Sequence, residues 1–396
     1  MKKILILGIV LVILIGASVL MLFFGPTGAK PQDAQPQSGS GESVLAQIAA
    51  QESLASSSNA TTSSSSKPAP AAKLQPLKSL GKYIEISNPS GFVNTNDQPI
   101  KLSDYIGKKV ILVDFLTYSC INCQRTFPYL NAWYNAYKDD GFIIVGIHTP
   151  EFAFEKDKQN VEDAMQRFNI DYPIVLDNDY GTWNAYGNQY WPRKYIIDIH
   201  GNIVYDHIGE GGYDETEKVI QYLLKERAQT LGEKGMASMP LASNAIASDE
   251  IAAGSPETYF GSDRNEYLGN GQAGAPGTQT FTMPEKPQLN KLYLEGSWNI
   301  LPEYAISGND AGITYIYSAK DMYIVASSDD GATVEVLLDG KLIDAAVKGE
   351  DVDMAGNMTI KESRLYHIAH TEKPETHMLQ LRVTKGALKA YTFTFG

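Results

Sequence analysis

The chain has 396 residues, more than one hydrophobic core usually serves, so two folded units with connecting segments are expected. Its 46 acidic and 33 basic residues give a net charge of −13, and no run of lysine and arginine is present to neutralise a phosphate backbone, so nucleic acid is not an expected partner. The chain contains 2 cysteines, three positions apart. A structural disulfide framework is therefore excluded, and the pair is expected to serve either chemistry or a metal clip.

The N-terminus carries the signature of a membrane anchor. Residues 4–24 form an uncharged apolar run of 21 residues that follows Lys2 and Lys3. Such a run crosses about 30 Å of hydrocarbon as a helix, and the apolar cores of cleaved signal peptides are shorter. Residues 1–25 are therefore predicted to be a retained transmembrane helix, although Thr27-Gly28-Ala29 leaves cleavage open as an alternative. The lysines predict a single-pass protein of the cytoplasmic membrane whose remaining chain is extracytoplasmic.

The next two segments differ in composition. Residues 26–78 are dominated by serine, alanine, glutamine and proline, which predicts a disordered tether. In residues 79–228, short apolar runs rich in β-branched residues, such as Val110–Phe115 and Phe142–Ile147, alternate with apolar residues at helical spacing. Buried strands followed by helices predict an α/β domain with central parallel strands.

The C-terminal part is predicted to be a separate all-β unit. Residues 229–288 are rich in glycine, alanine, serine and proline and are interpreted as a linker with one docked patch at Thr258–Gly261. Residues 289–396 contain short alternating strands, and Asp339-Gly340 is a strong hairpin turn. This pattern predicts a β-sandwich or jelly roll. No nucleophile with an oriented base can be assembled there, so a binding or positioning module is expected.

The two cysteines, Cys120 and Cys123, lie where a predicted buried strand gives way to a helix. Unpaired backbone N–H groups and the helix dipole stabilise negative charge at that position, so Cys120 is expected to be the thiolate that attacks a substrate disulfide. Cys123, one turn further along, can resolve the mixed disulfide. A zinc half-site or two core thiols are the alternatives, but four zinc ligands are not present nearby in the sequence. No metal, and no cofactor beyond the redox-active pair, is therefore predicted.

The histidine pattern also argues against a metal site. His148 follows the second predicted strand and is expected to end it. His367 and His370 are an odd number of residues apart on a predicted strand. Such a separation directs the two rings to opposite faces, which prevents them from binding one metal ion together.

Three features around the cysteines carry a family resemblance: Val113-Asp114-Phe115, the run Thr117-Tyr118-Ser119-Cys120-Ile121-Asn122-Cys123-Gln124-Arg125, and Pro128. They resemble the thioredoxin-like domain of TlpA/ResA-type proteins, and most of all the extracytoplasmic part of DipZ-type proteins of cytochrome c biogenesis. The resemblance covers residues 80–228, and the tail from residue 286 resembles the carbohydrate-binding-like domain that accompanies this part. It implies a thioredoxin-like fold and the activity of a thiol-disulfide oxidoreductase.

The resemblance also implies roles for individual residues. Asp114, six positions before the first cysteine, matches a buried acid that accepts a proton from the second cysteine, and burial would raise its pKa. Its alternative role is that of a solvated acid at a strand end. Trp191-Pro192 matches a cis-proline loop that offers its backbone to a substrate, and Pro128 matches a proline that kinks the active-site helix. Glu151, in the loop after the second strand, is expected either to line the site or to begin a helix.

The resemblance further implies partners. DipZ-type proteins carry an electron-conducting membrane part with several helices, whereas this chain has one predicted span. A separate membrane electron donor of the CcdA/DsbD type is therefore expected, with disulfide-containing envelope or secreted proteins as substrates. The β-rich tail is expected to contact a glycan or the oxidoreductase domain. Its aromatic residues, including Trp298, Tyr315, Tyr317 and Tyr323, are expected to pack the core or to form a stacking surface.

Two other functions compete with this one. Thr117-x-x-Cys120 resembles the peroxiredoxin pattern, in which a threonine and an arginine polarise a peroxide, but the proline expected before the threonine is missing. The other is a non-enzymatic module for copper delivery or carbohydrate docking. Copper-assembly proteins of this fold, however, use a wider cysteine spacing with a helping histidine.

Overall fold

The computed structural model describes five stretches of the chain: residues 41–59, 74–96, 98–234, 240–246 and 254–396. The predicted transmembrane run at residues 4–24 lies outside them. Among the helices in these stretches, none is both long and apolar enough to span a bilayer.

The α/β domain comprises the described residues between 41 and 246. Its strands are β1 (Gly81–Lys82), β2 (Gly91–Val93), β3 (Val110–Leu116), β4 (Phe142–His148), β5 (Ile174–Leu176), β6 (Arg193–Ile197) and β7 (Asn202–Ile208). The helices of this region are α1 (Gly41–Asn59), α2 (Ile121–Tyr137), α3 (Lys158–Arg167), α4 (Gly181–Ala185) and α5 (Tyr213–Leu231). Short 3-10 turns occupy Leu102–Asp104, Lys138–Asp140, Ala153–Lys156 and Ala242–Ala245.

The strands of this domain form one sheet in the order β1-β7-β6-β3-β4-β5-β2. Strands β3, β4 and β5 are parallel, whereas β6 is antiparallel to β3 and β7 is antiparallel to β6. Every residue of β3 is buried, because apolar side chains cover both faces of this central strand. Leu112 and Leu116 belong to the core that contains α2 and α5, and Ile111, Val113 and Phe115 belong to the core on the other face. The predicted α/β thioredoxin-like fold is confirmed.

Helix α1 shows that the prediction of a disordered tether at residues 26–78 is wrong for residues 41–59. Val44 and Ile48, four residues apart on one helix face, are buried in the same core as α5. The Tyr222 hydroxyl donates hydrogen bonds to the side chain of Gln51 and to the carbonyl oxygen of Gln75. The surrounding alanine and serine residues leave this helix with almost no amphipathic periodicity, so its short apolar stripe was not recognised in the sequence.

The β-rich domain comprises residues 254–396. Its strands are β8 (Thr258–Tyr259), β9 (Gly277–Phe281), β10 (Leu292–Ile300), β11 (Ala305–Ser307), β12 (Gly312–Ser327), β13 (Ala332–Leu338), β14 (Lys341–Leu342), β15 (Asn357–Ile360), β16 (Arg364–Lys385) and β17 (Lys389–Phe395). The interpretation of residues 229–288 as a linker is therefore wrong for residues 254–288. Strand β9 pairs with β10, the next strand along the chain, whereas β8 pairs with β17, a partner distant in sequence.

The β-rich domain is all-β, as predicted. Its strands form one hydrogen-bonded sheet in the order β14-β13-β16-β12-β10-β11-β17-β8, to which β15 and β9 are added. The first part of the long strand β12 pairs with β10 and its last part with β17. The division into the two sheets of a sandwich or jelly roll stays a prediction. Trp298, Tyr315 and Tyr317 are almost fully buried and pack the core, whereas Tyr323 is partly exposed.

Candidate active site

The cysteines lie at the end of β3 and the start of α2. Cys120 is the N-cap residue of α2, with an extended backbone, and its carbonyl oxygen accepts the first helical hydrogen bond from the Gln124 N–H at 3.0 Å. Both thiols are reduced; Cys120 is partly exposed and Cys123 is completely buried. An exposed thiol at a helix N-terminus with a second thiol buried one turn later is the arrangement that disulfide exchange requires.

The buried position of Cys123 sets its protonation state. Burial raises the pKa of the Cys123 thiol well above its usual range, and the hydrogen bond to Cys120 and the negative charges of Cys120 and Asp114 raise it further. Cys123 therefore keeps its proton at neutral pH until a base removes it. The chemistry of the second thiol needs such a base nearby.

Asp114 lies on the face of β3 that is turned towards α2. It is completely buried, and neither carboxylate oxygen has a hydrogen-bond partner among the described residues. Burial raises its pKa to about 7, an effect that the charge of Lys194 partly opposes. A carboxyl group that titrates near neutral pH can take a proton from a thiol and return it. The buried position excludes the alternative of a solvated acid, and the catalytic role of Asp114 stays a prediction.

Lys194 is a site residue that was missed in the sequence. It is fully buried on β6, directly opposite Asp114 in the β3–β6 register, and its Nζ donates to the carbonyl oxygen of Gly209 at 3.0 Å. Burial lowers its pKa, whereas the negative charges of Asp114 and Cys123 raise it. Nothing in its local sequence distinguishes Lys194 from a surface lysine; only the pairing of β6 with β3 identifies it.

Tyr172 is a second polar residue near the cysteines that was missed. It is completely buried, and its hydroxyl has no hydrogen-bond partner among the described residues. Burial raises its pKa well above the usual range, and the charges of Asp114 and Cys123 add to this. Its phenol therefore stays protonated and belongs to the polar surroundings of Asp114 and Cys123.

The predicted cis-proline loop lies beside the end of β3. The Trp191–Pro192 peptide bond is cis, which confirms the predicted geometry, and Arg193 of β6 then pairs with Phe115 of β3. Pro192 thus lies directly before β6, which borders the end of β3. From this end of β3 the chain continues to the cysteines. The roles of Trp191 and Pro192 in substrate binding stay predictions. Pro128 lies inside α2, which continues through it, and the kink at Pro128 stays a prediction.

Glu155, which the sequence analysis did not identify, holds the loop that precedes the cysteines. It is completely buried, and one carboxylate oxygen accepts hydrogen bonds from the hydroxyls of Thr117 and Ser119, each at 2.6 Å. The other oxygen accepts hydrogen bonds from the backbone N–H groups of Glu151 and Phe152 at 2.6 and 3.0 Å. Burial raises the pKa of Glu155, and the Ser119 and Thr117 hydrogen bonds oppose this. The Glu155 carboxylate therefore links the loop of Thr117 and Ser119 to the loop of Glu151 and Phe152.

Glu151 lies between the two domains. Its carboxylate pairs with the Arg264 guanidinium at 2.8 Å and accepts a hydrogen bond from the Tyr259 hydroxyl at 3.0 Å. Arg264 also lies 3.7 Å from the centre of the Tyr259 ring, so three side chains form one cluster. Glu151 thus has partners in the β-rich domain, and its role towards a substrate stays a prediction.

The β-rich domain packs directly beside the cysteines. Ile121 and Asn122 lie between Cys120 and Cys123 in the sequence. Ile121 is buried in an apolar cluster with Val325, Leu365 and Tyr391 of the β-rich domain. Next to this cluster, the Tyr118 hydroxyl donates to the carbonyl oxygen of Ser363 at 3.0 Å. The predicted intramolecular contact of the β-rich domain is confirmed. The β-rich domain therefore borders the segment that carries the cysteines.

An open cleft of about 1050 Å³ separates α2 from the β-rich domain next to this contact. Its lining on one side includes Ile121, Gln124 and Arg125 of α2. On the other side its lining includes Asp321, Tyr323, Leu365, His367 and His370 of the β-rich domain. The cleft therefore has one wall from each domain.

The prediction that His367 and His370 face opposite sides of their strand is wrong. Asp321 pairs with His370 and Tyr323 with His367, so β16 has one more residue than β12 between these pairs. This bulge shifts the alternation of side chains, and both rings reach Oδ1 of Asp321: His367 Nε2 at 3.0 Å and His370 Nδ1 at 2.7 Å. The three residues are the group among the described residues whose ligand atoms lie close enough to hold a metal ion.

Comparison with known proteins shows which families the two domains are similar to. The family described as Redoxin matches residues 65–224, and the family described as Thioredoxin like C-terminal domain matches residues 255–396. Over these two regions the chain is similar to thioredoxin-like redox proteins, and the relatives that it resembles include DipZ proteins and thiol-disulfide oxidoreductases.

Individual relatives are similar to the chain over different lengths. The chain is 37% identical over 324 residues to Protein DipZ of Mycobacterium bovis and of Mycobacterium tuberculosis, a match that covers 81% of this chain and 44% of each relative. The chain thus spans less than half the length of these relatives. It is also 36% identical over 103 residues to the thiol-disulfide oxidoreductase ResA of Geobacillus thermodenitrificans, covering 26% of this chain and 56% of that protein.

Part of the chain is also similar to solved structures. The thioredoxin domain of a thiol-disulfide oxidoreductase from Bacteroides vulgatus is 26% identical, and the match covers 37% of this chain and 99% of that structure with a TM-score of 0.31.

Proposed function

We propose that this protein is an extracytoplasmic reductase of protein disulfides. The observation that carries the proposal is the pairing of an accessible Cys120 with a buried Cys123, beside a buried Asp114 whose carboxylate has no hydrogen-bond partner among the described residues. This arrangement provides a nucleophile, a resolving thiol and a base whose pKa of about 7 suits neutral pH. We propose that the cysteine pair is the only redox group that the reaction needs.

The proposed reaction has two exchange steps. The Cys120 thiolate attacks one sulfur of a substrate disulfide, which forms a Cys120–substrate disulfide and releases the other substrate sulfur as a thiolate that takes a proton from water. Asp114 then accepts the proton of Cys123, and the Cys123 thiolate attacks the Cys120 sulfur. The second substrate sulfur leaves as a thiolate, and the Cys120–Cys123 disulfide remains. Two electrons have passed to the substrate, and Asp114 carries the proton.

The reduced pair must be restored by another dithiol. A membrane donor of the CcdA/DsbD type would reduce the Cys120–Cys123 disulfide by the same exchange in reverse, with two electrons supplied from its own thiols. The apolar run at residues 4–24 supports attachment to the cytoplasmic membrane, and the preceding lysines support an extracytoplasmic position of the catalytic domain. Apocytochromes in cytochrome c maturation and other envelope or secreted proteins are the proposed substrates.

The peroxidase alternative is less well supported. Its mechanism needs the Thr117 hydroxyl beside the reactive sulfur, but this hydroxyl donates to the buried carboxylate of Glu155 at 2.6 Å. A resolving thiol one turn from Cys120 also suits disulfide exchange better than peroxide reduction.

The experiment that tests the function uses the full chain in detergent micelles. Insulin disulfide reduction with dithiothreitol should proceed, should stop in a Cys120→Ser variant, and should greatly exceed the turnover of hydrogen peroxide. Peroxide turnover that exceeds insulin turnover would reject the proposal. A Cys123→Ser variant expressed in cells should retain the substrate as a mixed disulfide, which mass spectrometry would identify.

The proposed location has its own test. In intact cells, a membrane-impermeant maleimide should label the partly exposed Cys120 after mild reduction and should label Cys123, which is 0% exposed, much more slowly. Separate Cys120→Ser and Cys123→Ser variants tell the two thiols apart. Labelling that appears only after cell lysis would place the domain on the other side of the membrane.

A further inference from the structure

The proposed disulfide exchange makes no use of the cluster formed by Asp321, His367 and His370. It lies on the wall of the cleft that the β-rich domain contributes, and the two imidazole rings share one carboxylate oxygen. All three candidate ligand atoms lie within 4.8 Å of one another. In a tetrahedral zinc site with bonds of 2.0–2.1 Å, ligand atoms are separated by about 3.3 Å. The observed distances of 3.0 and 2.7 Å from Asp321 to the two rings need only a small expansion.

The surrounding structure holds Asp321 and His367 in place. Two backbone hydrogen bonds with Gly396 fix Asp321: its N–H donates to the Gly396 oxygen at 2.7 Å, and its carbonyl oxygen accepts from the Gly396 N–H at 3.0 Å. The His367 ring stacks on Tyr323, with ring centres 4.5 Å apart. Ligands that are already oriented lose little conformational freedom when a metal ion binds. The β16 bulge therefore creates an arrangement in which little reorganisation is needed.

The positive charges of the cleft do not exclude a cation. Arg125 pairs with Glu210, Arg167 with Glu362 and Arg364 with Asp351, so each of these guanidinium groups is balanced by an acid. Lys348 also lines the cleft, and Glu350 lies beside it. The charged groups that line the cleft are thus of both signs, and the carboxylate of Asp321 can balance part of the charge of a bound ion.

We propose that Asp321, His367 and His370 bind a divalent transition-metal ion of the zinc type. Imidazole nitrogens combined with a carboxylate oxygen suit Zn²⁺, Cu²⁺ and Ni²⁺ better than the hard cation Ca²⁺. The ion would replace the protons that the two rings now share with Asp321. Three protein ligands leave a fourth position for water or for a group of a bound molecule in the cleft. This binding does not depend on the redox reaction.

Zinc titration of the full chain in detergent micelles tests this site. Cys120 and Cys123 are first oxidised to their disulfide, because free thiolates also bind zinc. Calorimetry should then show about one equivalent of Zn²⁺ bound with a dissociation constant of about 1 μM or lower, corresponding to about 8 kcal/mol. Ca²⁺ in excess should not displace it. Bound zinc should also raise the thermal unfolding midpoint of the chain.

Matched variants decide which residues bind the ion. His370→Gln should weaken zinc binding at least about tenfold and should abolish the zinc-dependent rise in unfolding midpoint. The His370 side chain is 46% exposed, so its replacement leaves the core unchanged. His377→Gln is the control, because His377 lies on the same strand and also pairs with an acid, Asp339, at 2.8 Å. Undetectable zinc binding at about 1 mM, or equal binding by His370→Gln and the unchanged chain, would overturn the proposal.

Discussion

Two buried carboxylates near the cysteines behave in opposite ways. Asp114, on the central strand below Cys123, has no hydrogen-bond partner among the described residues, whereas Glu155, in the loop beside Cys120, accepts hydrogen bonds from two hydroxyls and three backbone N–H groups. Both are 0% exposed. Equal burial therefore does not mean equal function: a carboxylate without donors is poised to bind a proton, and one surrounded by donors stabilises the fold.

The largest expected effect separates these two carboxylates by activity. Asp114→Asn should slow resolution of the mixed disulfide by roughly 10²–10⁴-fold, the usual contribution of a positioned base. In the unchanged protein the rate should rise with pH through about 7, because the pKa of Asp114 is raised to about 7 and only the ionised form accepts a proton. The asparagine variant should lack this step in a stopped-flow pH profile.

Glu155→Gln is the control for this experiment, since it removes a buried charge from the same site. Its pH profile should keep the step near pH 7. If Asp114→Asn kept the step and Glu155→Gln lost it, the roles assigned to the two carboxylates would be exchanged.

The same pair of variants should also differ in stability. The folded-state pKa of Asp114, about 7, lies above its ordinary value of 3.8, so its stabilising contribution is full below about pH 4 and is lost as pH rises through about 7. The stability of Asp114→Asn relative to the unchanged chain should therefore improve by up to roughly 4 kcal/mol between pH 4 and pH 8. Urea denaturation at both pH values measures the difference.

Glu155→Gln should be destabilised instead. A glutamine amide has one acceptor oxygen and places an NH₂ group against donors, and each donor left unpaired costs about 1–3 kcal/mol. A variant as stable as the unchanged chain would show that the hydrogen bonds of Glu155 do not hold the two loops together.

Much of the α/β domain could be predicted from the sequence, because its signals are local. The apolar run of β3, the cysteine spacing and Trp191-Pro192 each identify a feature without knowledge of distant residues. Lys194 could not be found in this way, since its position opposite Asp114 depends on the antiparallel pairing of β6 with β3. The one-residue bulge in β16 likewise could not be predicted from the local sequence, so the proximity of the His367 and His370 rings was missed.

The boundaries of the β-rich domain were missed for the same reason. Strand β8 has two residues, and its pairing with Thr392 and Phe393 joins positions more than 130 residues apart. Such contacts leave no periodic pattern in the local sequence. The local patterns identified the central strands and the catalytic motif, whereas long-range pairing placed the second domain against them.

A smaller effect is expected from Lys194, which influences Asp114 from the next strand. Its positive charge lowers the pKa of Asp114 against the larger effect of burial, so Lys194→Met should move the midpoint of the pH–rate profile above about 7. The rate at pH 7 should fall and should recover at higher pH. Arg193 lies on the same strand as Lys194 and forms an ion pair with Asp206 of β7. Arg193→Met, which removes this ion pair, should leave the midpoint unchanged. An unchanged midpoint in Lys194→Met would mean that Asp114 does not control the profile.

The smallest effect is expected at the exposed edge of the contact between the domains. Arg167 and Glu362 form an ion pair at 2.7 Å, but their side chains are 38% and 62% exposed. Solvent and salt screen such pairs, so Arg167→Gln should change the free energy of unfolding by only about 0–1 kcal/mol.

The nearby apolar contact has a different character, because Tyr391 is 5% exposed and packs edge-to-face on Phe152 and Phe154. Tyr391→Ala should cost roughly 2–4 kcal/mol in the same urea titration. If Arg167→Gln cost as much as Tyr391→Ala, charge pairing rather than apolar packing would hold the β-rich domain beside Cys120.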